Sequence, residues 1–320
     1  MDIGLKILYF LLSSLAIGTT FLYGSTGEII TEKAGHLNLG IPGIMGMGAA
    51  CGCAVLNVLC ADGVNMHPAL IVILGILAAF AGGALMGLLY SFLAVTLRAN
   101  QNVTGLAMTT FGIGLSKFIF NKLSGSLYIR ALKYYRFPFA DRTDDLHFMG
   151  VMVFLGLIIA IVASIVLTKT RVGLYLRAVG ESPATADAAG INVTRYKYVA
   201  TCLGSGIAAL GGLFYVIDYA GSPESYLTVE AMGWLSVALV IFSLWRPYLS
   251  IIGSFVFGAL FILGSYLPSF GLSIDVATGQ LIKTLPYIVT IIVLIITSIR
   301  NKRTNQPPAS LGISYFREDR

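Results

Sequence analysis

Charge is what this chain has least of. Asp, Glu, Lys and Arg make up 11% of its 320 residues, against 57% hydrophobic residues. A soluble domain carries about 25% charged residues, so the composition excludes a chain wetted over its whole surface and points to a membrane protein. Histidine is also scarce: His36, His67 and His147 are scattered and have no ligand-spaced partner, which argues against a metal site. The four cysteines, Cys51, Cys53, Cys60 and Cys202, lie in apolar stretches and form no C-x-x-C pair. They read as small packing residues, not as a disulfide framework. No G-x-x-x-x-G-K-[ST] phosphate loop occurs, so an ATPase activity of the chain's own is not expected. No His, Asp, Glu and Cys converge at one depth, as a membrane-embedded enzyme would require. No carboxylate is read in mid-span either, since Asp218 and Glu230 fall at segment edges and Asp275 in a loop. That weighs against proton-coupled transport. The net charge of +6 fits the excess of Lys and Arg in cytoplasmic loops better than nucleic-acid binding.

What is abundant is long apolar sequence and glycine. Apolar runs able to cross about 30 Å of hydrocarbon fall near 7–26, 43–60, 69–97, 103–120, 149–168, 197–218, 233–245, 249–267 and 281–298. All are expected to be helical, because lipid-exposed backbone must satisfy its own hydrogen bonds. The 36 glycines include Gly48 with Gly52 and Gly83 with Gly87, a small-xxx-small spacing that lets membrane helices approach closely. The fold class expected is all-α, a polytopic bundle of about 8–9 spans. The glycine-rich stretch 34–52 reads as a broken or re-entrant element, which with eight full spans would put the N-terminus inside. Residues 1–300 read as one transmembrane domain and 301–320 as a cytoplasmic tail. Lys169, Arg171, Arg177, Arg195 and Lys197, Arg246, and the tail's Arg300, Lys302 and Arg303 share one side, whereas the loops 219–232 and 268–280 carry no basic residue. The positive-inside rule makes the first side cytoplasmic. The 121–147 loop strains this pattern. Lys122, Arg130, Lys133, Arg136 and Arg142 stand there against Asp141, Asp144 and Asp145.

The segment "LRAVGESPATADAAGINVTRY", 176–196, is an island of polarity. Seven charges lie between Lys169 and Lys197, and burying them at a bilayer centre would cost on the order of 20 kcal/mol. It is therefore a loop. Within it Ser182 suits an N-cap, Pro183 the first helical position and Gly190 the left-handed closing position. The short helix between them is below the length that is stable alone, so it needs something to dock on.

This region, "GLYLRAVGESPATADAAGINVTRYKYVATCLGSGIAALGG", closely resembles the coupling-loop region of ABC-importer permeases of the branched-chain amino acid and ribose class. "GEIITEKAGHLNLGIPGIMGMGA", "LAVTLRANQNVTGLAMTTFGIGLS" and "GWLSVALVIFSLWRPYLSIIGSFVFGALF" are similar to the nucleoside or simple-sugar branch of that class, which uses basic-membrane-protein-type binding lipoproteins. The resemblance spans roughly residues 25–300. It implies a permease subunit in a bacterial cytoplasmic (inner) membrane that works by alternating access, beside a second and longer permease. An extracytoplasmic substrate-binding lipoprotein would deliver the cargo, and a separate ABC ATPase subunit would use ATP and Mg, with no cofactor on this chain. It also implies that 180–190 is a coupling helix seated in a groove of that ATPase. Arg177, Glu181 and Asp187 would be its polar contacts, and Gly180, Ala184, Ala186 and Gly190 would allow close approach. The expected cargo is a nucleoside or a related ribose-containing molecule. A simple sugar, a riboflavin-like compound and an ion-coupled secondary transporter remain as alternatives.

Polar residues at membrane depth are the candidates for the substrate path. "RANQNVTG" supplies Asn100, Gln101 and Thr104, which suit ribose hydroxyls or base edges and also suit an ordinary interhelical turn. Asn38 beside the broken element and Thr109 complete the set. Glu28, Glu32 and Lys33 read as an interfacial helix with solvated charges, and Asp218 as solvated.

Overall fold

The structure is a computed structural model that describes residues 3–61, 66–135, 150–222, 224–271, 275–300 and 306–316. Lys302, Arg303, Arg136, Arg142, Asp141, Asp144, Asp145 and His147 lie outside the described residues. Every regular element among the described residues is helical. In chain order these are α1 (Ile3–Lys33), α2 (Ile41–Leu59), α3 (Pro68–Ser91), α4 (Gln101–Phe120), α5 (Leu127–Tyr135), α6 (Val151–Lys169), α7 (Arg171–Glu181), α8 (Pro183–Ala188), α9 (Val193–Leu213), α10 (Val229–Phe242), α11 (Pro247–Tyr266), α12 (Val276–Ile282) and α13 (Leu285–Arg300). Two helices loosen into π winding at their C-terminal ends, α3 over Phe92–Thr96 and α9 over Phe214–Ala220. Among the described residues, nine helical stretches are long and apolar enough to cross a membrane.

The stretch 34–52 is a full crossing and not a re-entrant element. Only Ala34 to Gly40 leaves helical winding, and α2 then runs unbroken for 19 residues, about 28 Å at 1.5 Å per residue. Glycine content suggested a break inside α2, but those glycines serve packing. The nine stretches alternate between two faces. On one face lie α7, α8, the α1–α2 turn and residues 306–316, joined by contacts such as Ser310 N–H to the Gly180 carbonyl at 3.0 Å. On the other, Lys6 Nζ donates to the Ser269 carbonyl at 2.5 Å and Ser124 N–H to Asn57 Oδ1 at 3.3 Å. The start of α1 and the described tail are therefore on opposite faces, as an odd number of crossings requires.

The core is built around α9, which packs on α1, α2 and α3 and is the most enclosed span. Lipid tails are as apolar as leucine, so apolar burial gives helices little reason to associate there; close packing supplies it. Along the α3–α9 seam, Gly83 and Gly87 admit the backbone of α9. A Cβ on Gly83 would lie 2.5 Å from the Ser205 carbonyl oxygen, and one on Gly87 would lie 2.6 Å from Ser205 Oγ and 2.8 Å from the Thr201 carbonyl oxygen. The small-xxx-small spacing thus marks a real seam. The outer helix α6 turns Phe154, Ile158, Ile161 and Ile165 outwards, as a lipid-facing surface does. The last crossing is broken: α12 ends at Ile282 and α13 begins at Leu285. Replacing Gly87 with Val should force α3 and α9 apart at a cost of about 1–3 kcal/mol, the usual penalty of overpacking. The check is the thermal midpoint of the detergent-purified chain. An unchanged midpoint would mean that the seam is not held by this approach.

Candidate functional site

The turn from Ala34 to Gly40 is largely buried, so its polar backbone groups must find partners inside the protein. They do so with side chains from three helices and from the turn itself. Leu37 N–H donates to Gln101 Oε1 at 2.9 Å, Asn38 N–H to Glu28 Oε1 at 3.1 Å and Gly40 N–H to Asn38 Oδ1 at 3.0 Å. Tyr90 donates its hydroxyl to the Leu37 carbonyl at 2.7 Å, and Thr109 Oγ1 donates to the Leu39 carbonyl at 2.7 Å. His36 meets Thr201 Oγ1 through Nδ1 at 2.8 Å and lies edge-on to Tyr90. Glu32, one turn beyond Glu28, accepts from the indole N–H of Trp245. Trp245 reaches it from a strained turn in which Leu244 and Trp245 have φ of 54° and 56°, a conformation that costs non-glycine residues about 1–3 kcal/mol each.

Glu28 and Glu32 therefore are not solvated charges on an interfacial helix. Helix α1 continues through Lys33, and the two carboxyl groups are 0% and 3% exposed. Charges at i and i+4 with a neighbouring lysine looked like a polar helix face, and nothing local in the sequence announces Trp245, more than 200 residues away. Asp218 is likewise buried, within the π winding after α9. Glu28 and Glu32 lie in the last two turns of α1 and Asp218 at the end of the Val193–Ala220 stretch, so none is in mid-span; the reading that they are solvated is what the structure corrects.

The polar island folds as two helices. Helix α7, capped by Thr170 accepting from Gly173 N–H at 3.2 Å, lies against α6 and was not foreseen. Helix α8 has the expected punctuation: Ser182 Oγ accepts from Thr185 N–H at 3.4 Å, Pro183 is the first residue and Gly190 has φ of +82°. Ala186 faces inwards and packs beside Val179, Val193 and Tyr315, whereas Ala184, Thr185, Ala188 and Ala189 are exposed. Gly180 is buried against α1, where an added Cβ would be 3.0 Å from the carbonyl carbon of Lys33. Glu181 and Arg177 are exposed, and Arg177 Nε donates to the Gly173 carbonyl at 3.4 Å.

Residues 306–316 form a strap across this face. Ser310 donates both N–H and Oγ–H to the Gly180 carbonyl, at 3.0 and 2.6 Å. Gly312 N–H reaches the Gly35 carbonyl at 3.3 Å and Gln101 Nε2 reaches the Ile313 carbonyl at 3.4 Å. Tyr315 donates its hydroxyl to Asp187 Oδ2 at 2.9 Å, and the Arg98 guanidinium lies 4.8 Å from the Phe316 ring centre. Apart from its aromatic residues, nothing in the tail's sequence signals this contact set.

Of the substrate-path candidates, Asn38, Gln101 and Thr109 come together, as ties of the 34–40 turn. Thr104 is buried on the same side of α4. Asn100 stands apart as an exposed N-cap, accepting from Asn102 and Val103 N–H at 3.0 and 3.1 Å. The outward face of α4 exposes Asn102, Thr110 and Lys117 among apolar residues.

Among the described residues, nine helical stretches could cross a membrane and a capped helix stands on one face of the bundle. The family profile described as branched-chain amino acid transport system / permease component matches residues 10–298, and the chain belongs to that family. It is similar to NupC of Lactococcus lactis, a nucleoside ABC transporter permease protein, at 31% identity over 88% of this chain and 89% of that one. NupQ of Bacillus subtilis, a guanosine ABC transporter permease protein, is 28% identical over 96% of both. TsgC13 of Haloferax volcanii, named for a glucose ABC transporter permease, is 30% identical over 96% of this chain and 97% of that protein.

Burial, and then the charge of Lys197, hold the His36 imidazole well below its usual pKa of 6.5. The folded chain thus keeps His36 neutral while the unfolded chain takes up a proton as pH falls through that value. Its contribution to stability is present above about pH 6.5 and lost below it. Between about pH 7 and pH 5, the thermal midpoint of the wild type should fall more steeply than that of His36→Gln. Parallel profiles would assign the acid sensitivity to other groups.

Proposed function

We propose that the chain is the permease subunit of an ATP-driven importer for a nucleoside or related ribose-containing molecule. The exposed side of α8 is the surface on which a separate ATPase subunit docks. The single observation that carries this reading is α8 itself. It has six residues, is too short to be stable alone, is capped at both ends and is anchored by Ala186, yet it keeps Ala184, Thr185, Ala188 and Ala189 free for a partner's groove. Glu181, Arg177 and Asp187 border it as polar contacts. ATP and Mg belong to that partner.

The membrane is the prokaryotic cytoplasmic membrane. Lys169, Arg171, Arg177, Arg195 and Arg246 cluster with α7 and α8, which supports a cytoplasmic position for that face and for the strap; the start of α1 is then external. Glu224 and Glu230 are exposed on the external side, where a substrate-binding lipoprotein would deliver its cargo. Asn102, Thr110 and Lys117 on the outward face of α4 are too polar for lipid. They support a second, different permease chain closing the path against α4, with Asn38, Gln101, Thr104 and Thr109 stiffening the wall behind. The names of NupC and NupQ favour nucleosides. That of TsgC13 favours a simple sugar as the second reading.

The test is uptake of labelled nucleoside or labelled glucose in cells expressing the chain with its transporter partners. Nucleoside uptake should require ATP and survive collapse of ion gradients. Uptake that follows the gradient instead would overturn the ATP-driven reading, and glucose uptake alone would replace the cargo. Ala184→Trp should abolish uptake and co-purification of the ATPase while the permease still folds, and Glu181→Lys should weaken both. Ala186→Trp is unsuited to the purpose, because Ala186 faces the chain's own interior. Full uptake and co-purification in Ala184→Trp would remove α8 from the docking role.

A further inference from the structure

Beside the strap, a cavity of about 730 Å³ opens between the end of α3, the α8–α9 turn and Tyr315. Three cations line it, Arg98, Arg195 and Lys197, and among the described residues Asp187 is the only carboxylate on the wall. Lys197 is the unusual one. It is 3% exposed, and among the described residues its ammonium makes no hydrogen bond or ion pair. Its stem is buried and its ammonium reaches the cavity without a partner; so little hydration for a charge is costly, and an anion in the cavity would compensate it. The helix end beside it is also positive. The cavity sits at the N-terminal end of α9, a 21-residue helix whose Asn192 cap satisfies Arg195 N–H at 2.9 Å. The N–H groups of Val193 and Thr194, two residues that line the cavity, precede the first intrahelical bond.

Two further features point at the same space. Arg98 has φ of 56°, a left-handed conformation unusual for arginine; it follows the π winding of α3 and lies at the cavity wall. His36 is 1% exposed and lines the floor. Its Nδ1 is taken by Thr201, and Nε2 has no partner among the described residues. Tyr198 and Tyr315 supply flat aromatic surface on the wall.

We propose that this cavity binds a phosphate-bearing anion, its phosphate group held by Lys197, Arg195 and the open amides of α9, with Arg98 and His36 bordering it. Planar donors and helix N-termini are the groups that recognise phosphate oxygens. The volume lies within the range of about 300–1,000 Å³ common for small-molecule sites, and the two tyrosines suit an organic group attached to the phosphate. The site is independent of the transported cargo. It lies on the face that carries α8, and Tyr315 and Asp187 place its occupant in touch with both strap and α8.

The experiment uses the full-length chain in nanodiscs of zwitterionic lipid, which keeps anionic headgroups from competing. Binding is read as a saturable rise in thermal midpoint with uridine 5′-monophosphate, inorganic phosphate and uridine. The monophosphate should stabilise the chain and uridine should not. Tighter binding of the monophosphate than of phosphate identifies an organic monoester as occupant; equal binding identifies the free ion. Either upholds the oxyanion site. Lys197→Met should weaken monophosphate binding by about tenfold or more, the effect of losing a charge-assisted hydrogen bond. It should leave the unliganded midpoint unchanged or higher, because it removes an unpaired buried charge. Arg195→Gln, an exposed position, should weaken binding without touching the fold. No saturable shift with either anion, uridine acting as well as its monophosphate, or undiminished binding in both variants would overturn the proposal.

Discussion

The structure depends on making seven unwound residues tolerable inside a membrane protein. Between Ala34 and Gly40 the last turn of α1 accepts from the N–H groups of Ala34, Gly35 and His36, and at that depth water cannot be relied on to supply partners for the rest. The solution draws in one side chain or more from α1, α3, α4 and the residues after α10, and it fixes those elements relative to one another. Glu28 is buried because Asn38 needs an acceptor. Gln101 is buried because Leu37 needs one, and its amide end then reaches the strap. Tyr90 is buried at the end of α3, where its hydroxyl donates to the Leu37 carbonyl. Each of these polar residues would be a liability alone; together they supply the turn's partners, while Glu28 Oε2 and Asn38 Nδ2 stay buried without a hydrogen bond among the described residues, so the network is satisfied only in part.

Much of the architecture was legible in the sequence because membrane spans obey a strong constraint. The apolar runs located the spans, since length and hydropathy alone decide which segments can cross. The cap and closing residues around α8 were legible for the same reason: Ser182, Pro183 and Gly190 act locally, and local rules need no knowledge of the fold. The Gly83 and Gly87 spacing likewise found its seam. What was not legible is what depends on distant partners. Glu28 and Glu32 had the pattern of a wet helix face, and only the arrival of Trp245 and Asn38 makes their burial possible. Lys197 counted as one more loop charge, although it is the fifth residue of α9 and lies under the strap. Ala186 read as outward because an alanine-rich helix shows no face; its orientation is set by Val179, Val193 and Tyr315. The parity of the spans was misjudged because glycines in α2 carry two meanings, breakage and close approach, which the sequence does not separate.

The same contacts decide where the molecule is stiff and where it can bend. Seams such as α3 against α9 have almost no side chain between the backbones, so they resist shear and behave as one body. The Leu244–Trp245 turn and the α8–α9 turn are instead short junctions between helices, and few-residue junctions of this kind absorb the rotations of domain motion. A load on α8 has two short mechanical routes into the bundle. One runs through Ile191 N–H on the Ala186 carbonyl, at 3.0 Å, into the N-terminal turn of α9. The other runs through Gly180, whose backbone abuts Lys33 and whose carbonyl takes both donors of Ser310. The strap also binds Asp187 through Tyr315 and the Gly35 carbonyl through Gly312. Any displacement of α8 away from the bundle must therefore break or drag the strap, and through it the turn that the polar network was built to hold. A tail that only trailed from the last span would have no such hold. Because its contacts are divided between α8 and the α1–α2 turn, the strap adds to the resistance against their separation, and whatever loosens it lowers that resistance.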